Sequence, residues 1–248
     1  MNPFLFTFEI LRQNLCVTFC LGGFVAQQNL IIMKAIAALL IAFILQAAAA
    51  GAQSQTIALF DGKTFNGWEG DTINTWRIEG GALVGGSLTT EVPRNEFIAT
   101  TKSFSNYVLR LKFKLTGHEG FINGGVQFHS QRIKDPAHEM TGYQADIGDG
   151  YWGSLYDESR RNKLLAVADT AQIKRLLRRN DWNDYEIRTE GKTIRIFLNG
   201  EQTIAYTEED AAIPQSGLLA FQVHGGGKVQ VHYKDIFLQE INKQAPAQ

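Results

Sequence analysis

Cysteine is nearly missing from this 248-residue chain, and the two that exist, Cys16 and Cys20, both stand near the start. Behind them lies a more complete leader. Lys34 follows Met33, an apolar run extends from Ala35 to Ala49, and Ala50-Gly51-Ala52 puts small residues where a signal peptidase reads. Residues 33–52 are therefore expected to be a signal peptide and residues 1–32 a doubtful upstream leader, with translation starting at Met33. The mature chain would begin near Gln53 without a cysteine. Neither a disulfide framework nor a cysteine zinc site is then open to it, and stability must come from a packed core.

An excess of charge of one sign is also lacking. Lys and Arg total 24 against 25 Asp and Glu, for a net charge of -1. Without a basic bias no nucleic-acid partner is expected; a neutral or small polar ligand fits better. A membrane span needs about twenty apolar residues in one run. Gln13, Asn14, Gln27, Gln28 and Asn29 interrupt the first segment, so no stable membrane anchor is expected, and the product is read as exported, periplasmic or secreted.

Several catalytic signatures are missing as well. No E-x-D-x-x-E string places a glycosidase carboxylate pair on one strand. His118, His129 and His138 lack metal-ligand spacing. Asp146, Asp149 and Asp157 offer hard oxygen donors but no recognised calcium loop, which leaves the metal question open. Gly225-Gly226-Gly227 has no Lys-Ser/Thr and no helix after it, so it reads as a tight hairpin and not as a phosphate loop. No cofactor is called for. Repeats and internal linkers are absent too, so residues 53–241 form one domain and 242–248 a frayed tail.

What the sequence does have is alternation. The runs 107–115, 124–130, 143–147, 184–190, 193–200, 217–225 and 228–241 switch between apolar and polar at every residue, the pattern of half-buried antiparallel strands. Asn199-Gly200 between two of them predicts a type I′ hairpin. One short helix is expected over 170–179. The fold class is all-β, a jelly-roll sandwich of two antiparallel sheets whose curvature leaves one face concave and open to water.

Three strands repeat one device on that face. VQFHS at 126–130 gives Gln127 and His129, YQADI at 143–147 gives Gln144 and Asp146, and FQVHG at 221–225 gives Gln222 and His224. Solvated strand faces favour Thr, Lys and Glu, whereas amides, imidazoles and a short acid are convergent donors and acceptors that suit a ligand face. Beside them, in GYQADIGDGYWGSLYDESRR at 142–161, Tyr151, Trp152 and Tyr156 offer flat surfaces to sugar rings. Asp157, Glu158, Arg160, Arg161 and Lys163 bring charge to the rim. The competing reading is structural: a core Trp152, and an Arg160–Asp157 surface ion pair of little worth.

Together with FDGKTFNGWEG (60–70), TWRIEGGALVG (75–85), DWNDYEIRTEGKTIRIFLNG (181–200) and FQVHGGGKVQVHYKDIFLQEI (221–241), these strings resemble the 3-keto-disaccharide hydrolase family across nearly the whole mature chain. The resemblance implies a concanavalin- or laminin-G-like jelly roll exported by bacteria. It also implies glycosides already oxidised at C3 by a partner sugar 3-dehydrogenase, cleaved by elimination at C1 and then hydration. Many members carry an arginine near the strand where this chain has His129. The chemistry calls for a base, donors to an enolate oxygen and a leaving-group acid. His129 or Asp146 is the candidate base, Gln144 and His224 the donors, and Asp157 or Glu158 the acid, with Arg160 steadying charge. Gln127, Gln144, Trp152, Tyr156, Arg160 and Gln222 are the candidate substrate-binding set. The alternative is a carbohydrate-binding module of the same fold with no turnover.

Overall fold

The computed structural model describes residues 55–241, so the leader, signal peptide and tail expected at 1–32, 33–52 and 242–248 lie outside the described residues. In chain order, β1 (Thr56–Ala58), β2 (Trp68–Glu69), β3 (Trp76–Glu79), β4 (Ala82–Gly86) and β5 (Glu96–Phe104) lead to the long β6 (Tyr107–Gly120). Next come β7 (Asn123–Arg132), β8 (Met140–Gly148), β9 (Leu155–Glu158), β10 (Lys163–Ala166) and the helix α1 (Thr170–Leu176). The chain closes with β11 (Asn183–Glu190), β12 (Thr193–Leu198), β13 (Glu201–Thr207), β14 (Gly217–Val223) and β15 (Gly227–Glu240).

The strands form two antiparallel sheets, a jelly-roll sandwich with one short helix among the described residues. The first sheet runs β13-β12-β11-β6-β15-β4-β3, with β1 added against β15; the second runs β10-β9-β8-β7-β14-β5-β2. The alternation dictates this layering, because each strand has one apolar face to bury and the two sheets bury theirs against each other. Trp68 stacks on Phe221 at 5.2 Å and Phe221 on Tyr233 at 4.3 Å, an aromatic column that crosses the core from sheet to sheet.

Asn199 and Gly200 both take positive φ, 49° and 88°, and close the expected two-residue turn between β12 and β13. The helix starts as expected, with the Gln172 N–H donating to the Asp169 carboxylate at 2.7 Å. It stops earlier than expected because Leu177 is already extended. Gly225-Gly226-Gly227 corrects the sequence reading: it is no hairpin but a crossing from β14 in the second sheet to β15 in the first. The turn from β6 to β7 makes the reverse crossing beside it. The two hold each other, Phe121 N–H donating to Gly226 O at 2.8 Å and His224 N–H to Asn123 O at 3.1 Å. Gly120 (φ 76°) must be glycine there, since a Cβ would stand 2.2 Å from the Gly226 oxygen.

Candidate active site

Strands β8 and β9 pair in the register Gln144↔Tyr156 and Gly142↔Glu158. Side chains alternate across a strand, so Gln144, Asp146, Tyr156 and Glu158 share the outer face of the second sheet while Tyr143, Ala145 and Ile147 enter the core. The neighbouring strands carry Gln127 and Gln222 on the same face, because Gln127 pairs with Gln144, and Gly125 pairs with both Asp146 and Gln222. A cavity of about 130 Å³ opens there, lined by Phe121, Asn123, Gln144, Asp146, Tyr151, Tyr156, Glu158 and His224.

The polar groups of this face are linked. Gln144 lies across Gly125, where any Cβ would meet its side chain at 2.5 Å, and its Nε2 donates to the Asp146 carboxyl and to Gln222 Oε1, both at 3.1 Å. Gln144 Oε1 and both amide atoms of Gln127 find no partner although fully buried. Gln222 Nε2 has none of good geometry either, though it lies close enough to Glu158 to favour its ionised form. Each such atom costs roughly 1–3 kcal/mol unless something bonds it, and of the three residues Gln144 alone lines the cavity.

Burial raises both acids of the cavity. Burial pushes Asp146 up to about 8, with the neighbouring Glu158 charge adding to the rise and the Gln144 and Asn123 amides opposing it. Burial also pushes Glu158 up to about 7, helped by Glu139 and Asp157. Neither acid has a cation beside it, so near neutral pH both tend to hold their protons. The His224 Nδ1 lies 2.7 Å from the Gly225 carbonyl, which can only accept; in the neutral ring the proton is therefore on Nδ1 and the Nε2 lone pair is free. Above these groups stands Phe121, 38% exposed, edge-on to His224 at 4.6 Å and to Tyr151 at 6.2 Å.

Of the residues singled out in the sequence, Gln144, Asp146, Tyr151, Tyr156, Glu158 and His224 line this cavity, whereas Gln127 and Gln222, expected to bind substrate, lie on the same sheet face but are fully buried beside it. The others lie elsewhere. His129 leaves the Gln127 face because β7 bulges between Phe128 and Gln131, and His129 sits at φ 46°. Gly142 and Gly217 make room, since a Cβ on either would meet the bulge at 2.5 Å or less. Its ring points into the sandwich, edge-on to Tyr107 at 5.9 Å, with Nε2 2.8 Å from the Ser105 carbonyl. Burial holds its pKa down to about 4, the nearby Arg160 charge contributing against the Ser105 bond.

Asp157 pairs with Tyr143 in the register and so faces inward, with no exposure. Arg160 and Arg161 fold back from the β9–β10 turn onto it, Arg160 Nε donating at 2.9 Å. Arg160 also lies 4.6 Å over the Tyr143 ring, and Arg161 reaches on to Glu208 at 2.7 Å. Neither Asp157 nor Arg160 is at the rim. Trp152 packs inward too, stacked at 6.3 Å on Phe113, with its Nε1 donating to Asp149.

Phe121 and Asn123 were missed in the sequence. They lie on the β6–β7 crossing, where alternation ends, and the flanking glycines of GHEGFINGG are the signal that could have found them. Among the described residues no group of three or more His, Asp or Glu is arranged to hold a metal ion, and no helix is long and apolar enough to cross a membrane.

Residues 55–239 match the profile of a family described as the 3-keto-alpha-glucoside-1,2-lyase-like domain. Among proteins with curated descriptions, none matches this chain. Solved structures share the fold. A protein of Parabacteroides distasonis ATCC 8503 assigned as a glycosyl hydrolase has a TM-score of 0.55 and 21% identity, over 75% of this chain and 94% of that one. The carbohydrate-binding module CBM66 from Bacillus subtilis has a TM-score of 0.54 and 16% identity, over 70% and 96%. A Bacillus subtilis protein of unknown function with a galectin-like fold has a TM-score of 0.51 and 11% identity, over 70% and 88%.

Proposed function

The chain belongs to the 3-keto-alpha-glucoside-1,2-lyase-like domain family, and from that premise we propose that it cleaves glycosides bearing a ketone at sugar C3, by elimination across C1–C2 followed by hydration. The coarser part, a carbohydrate-related function, follows from the family itself. The observation that carries the finer part is the pairing of two acids without a cation beside them, the buried Asp146 and the half-buried Glu158, with an imidazole whose Nε2 is free, all lining one cavity.

A C3 ketone acidifies the hydrogen on C2. His224 Nε2 takes that proton, and the C–H electrons move into C2=C3 and onto the ketone oxygen. The protonated Asp146 donates to this enolate oxygen, a role that needs a carboxyl kept neutral near pH 7. The enolate then collapses back to the ketone, C1=C2 forms, and the C1–O bond breaks as Glu158 gives its proton to the departing oxygen. Water adds to C1, Glu158 takes the water proton, and His224 returns its proton to C2. The net change is hydrolysis, and no oxocarbenium ion is formed.

Glu158 stands level with Gly142, four residues along β8 from Asp146, yet both side chains reach the same cavity and Glu158 is close enough to raise Asp146. We also place the chain outside the cytoplasm, after a sugar 3-dehydrogenase that supplies the ketone.

The test is incubation in heavy water with a 3-keto-glucoside and, separately, its unoxidised parent. Release of aglycone from the keto sugar alone, with deuterium appearing at C2, is expected. Cleavage of the parent at equal rate would sink the ketone-dependent reading. Saturable binding of both sugars without turnover would make the chain a carbohydrate-binding module instead.

A further inference from the structure

The proposed base stands just past the end of β14, and its ring depends on the glycine that follows it. His224 Nδ1–H donates to the Gly225 carbonyl at 2.7 Å, and that bond sets which ring nitrogen faces the cavity without a proton. The carbonyl belongs to Gly225-Gly226-Gly227. Three residues without side chains have little stiffness of their own, so the direction of their backbone is set by whatever bonds it.

What bonds it is the segment that leads into β5. Val92 N–H donates to Gly227 O at 2.9 Å, and Val92 O accepts from Gly226 N–H at 2.8 Å. Asn95, 130 residues before Gly225, accepts from the Gly225 N–H on its Oδ1 at 3.1 Å. The approach is close, for a Cβ on Gly225 would stand 2.5 Å from the Arg94 Cα. Gly225 O and Gly226 N–H belong to one peptide, which Val92 grips on one edge while His224 donates to the other. The peptide before it, joining His224 to Gly225, has its N–H held by Asn95. Rotation between these two peptides determines whether the carbonyl meets the imidazole, and Asn95 is the side chain that restrains it. Asn95 does not line the cavity, so any influence it has on the reaction runs through this contact.

We propose that Asn95 is a positioning residue for the elimination: through the Gly225 N–H it keeps the Gly225 carbonyl against His224 Nδ1, so that the proton rests there and Nε2 meets the substrate bare. The inference rests on the function proposed above, because it takes His224 as the base that removes the C2 proton. Without that hold the Gly225 peptide turns and the ring loses the acceptor that fixes its tautomer. Molecules with the proton on Nε2 have no lone pair to offer C2. Both tautomers have the same shape, so sugar binding changes little and the chemical step carries the loss.

Nitrogen-15 NMR of the neutral His224 ring reads the tautomer without substrate, its signals being those that His224→Gln lacks. The wild-type protein is expected to carry the proton on Nδ1. Asn95→Ala is expected to populate the Nε2–H form and to lower kcat on a 3-keto-glucoside about tenfold, the worth of one lost hydrogen bond, with KM within about twofold. Asn95→Asp keeps an oxygen facing the Gly225 N–H and is expected to restore both the tautomer and kcat. A ring that keeps its proton on Nδ1 in Asn95→Ala overturns the proposal, as does a change as large in Asn95→Asp as in Asn95→Ala. Absence of turnover in the wild type counts against the function proposed above, while the NMR spectra still decide whether Asn95 orients His224.

Discussion

Strands β8 and β9 carry acids on both of their faces, and the two faces use them in opposite ways. Inward, Asp157 is gripped by Arg160 and Arg161, and Glu208 beyond it is held by Arg161 and the Tyr143 hydroxyl at 2.6 Å. Burial alone would raise Glu208, but Arg161 and Tyr143 outweigh it and bring it down to about 2. Outward, the amides beside Asp146 do not offset its burial and the Glu158 charge adds to it, so it rises to about 8. Burial raises both carboxyls, and an arginine beside one of them decides which is a fixed charge and which a proton carrier.

The sharpest break of that contrast is to remove one acid from each side. Asp146→Asn keeps the shape and loses the proton; release of aglycone from a 3-keto-glucoside is expected to fall about 10²–10⁴-fold, with little change in melting temperature. Asp157→Ala leaves two half-buried arginines without their carboxylate. Denaturant unfolding is expected to show a loss of about 3–5 kcal/mol, while turnover per folded molecule stays close to wild type.

A milder contrast lies in pH. The folded pKa of Asp146 is above its ordinary value of 3.8, so the folded state binds the extra proton, and stability declines as pH rises from about 4 to about 8. Glu208 is the reverse. Its stabilisation is present above its ordinary value of 4.5 and is lost as pH falls toward 2. In melting curves across this range, Asp146→Asn should flatten the alkaline decline and Glu208→Gln the acid one. Flattening of the same limb by both would break the comparison. Turnover should fall above about pH 7–8 as Asp146 and Glu158 lose the protons they donate.

The smallest effect is expected at His129. Asn tolerates its positive φ, and the ring touches nothing in the cavity, so His129→Asn should keep kcat/KM within about threefold of wild type, with a loss of roughly 1 kcal/mol in stability for the buried contacts.

Much of this was legible in the residues. Alternation gave the strands, Asn199-Gly200 its turn, and Gln-x-Asp in YQADI the face that bears Gln144 and Asp146. Two physical effects hid the rest. A single extra residue in β7 reverses direction, and nothing in VQFHS distinguishes a bulged histidine from a ladder one; the glycines that permit it, Gly142 and Gly217, lie on the neighbouring strands. Asp157 and Glu158 looked alike as adjacent acids near two arginines. Parity with Tyr156 separates them, and only the register with β8 shows which side is which. Phe121 and Asn123 owe their position to two crossings between the sheets, and the only local trace of that distant pairing is the glycines that flank them.

Two phenols buried in the first sheet also touch the second sheet's backbone directly beneath the reacting groups. Tyr185 donates to the Asp146 carbonyl at 3.1 Å, and the Tyr233 hydroxyl lies 3.0 Å from the carbonyls of Gly125 and Gln222. The floor of the cavity is thus tied down from behind, while Phe121 and Tyr151 at its mouth belong to connecting segments. Relatives could exchange those mouth residues to accept a different sugar and still keep the acids in register, so new specificities would be expected to arise in the turns long before either tyrosine changed.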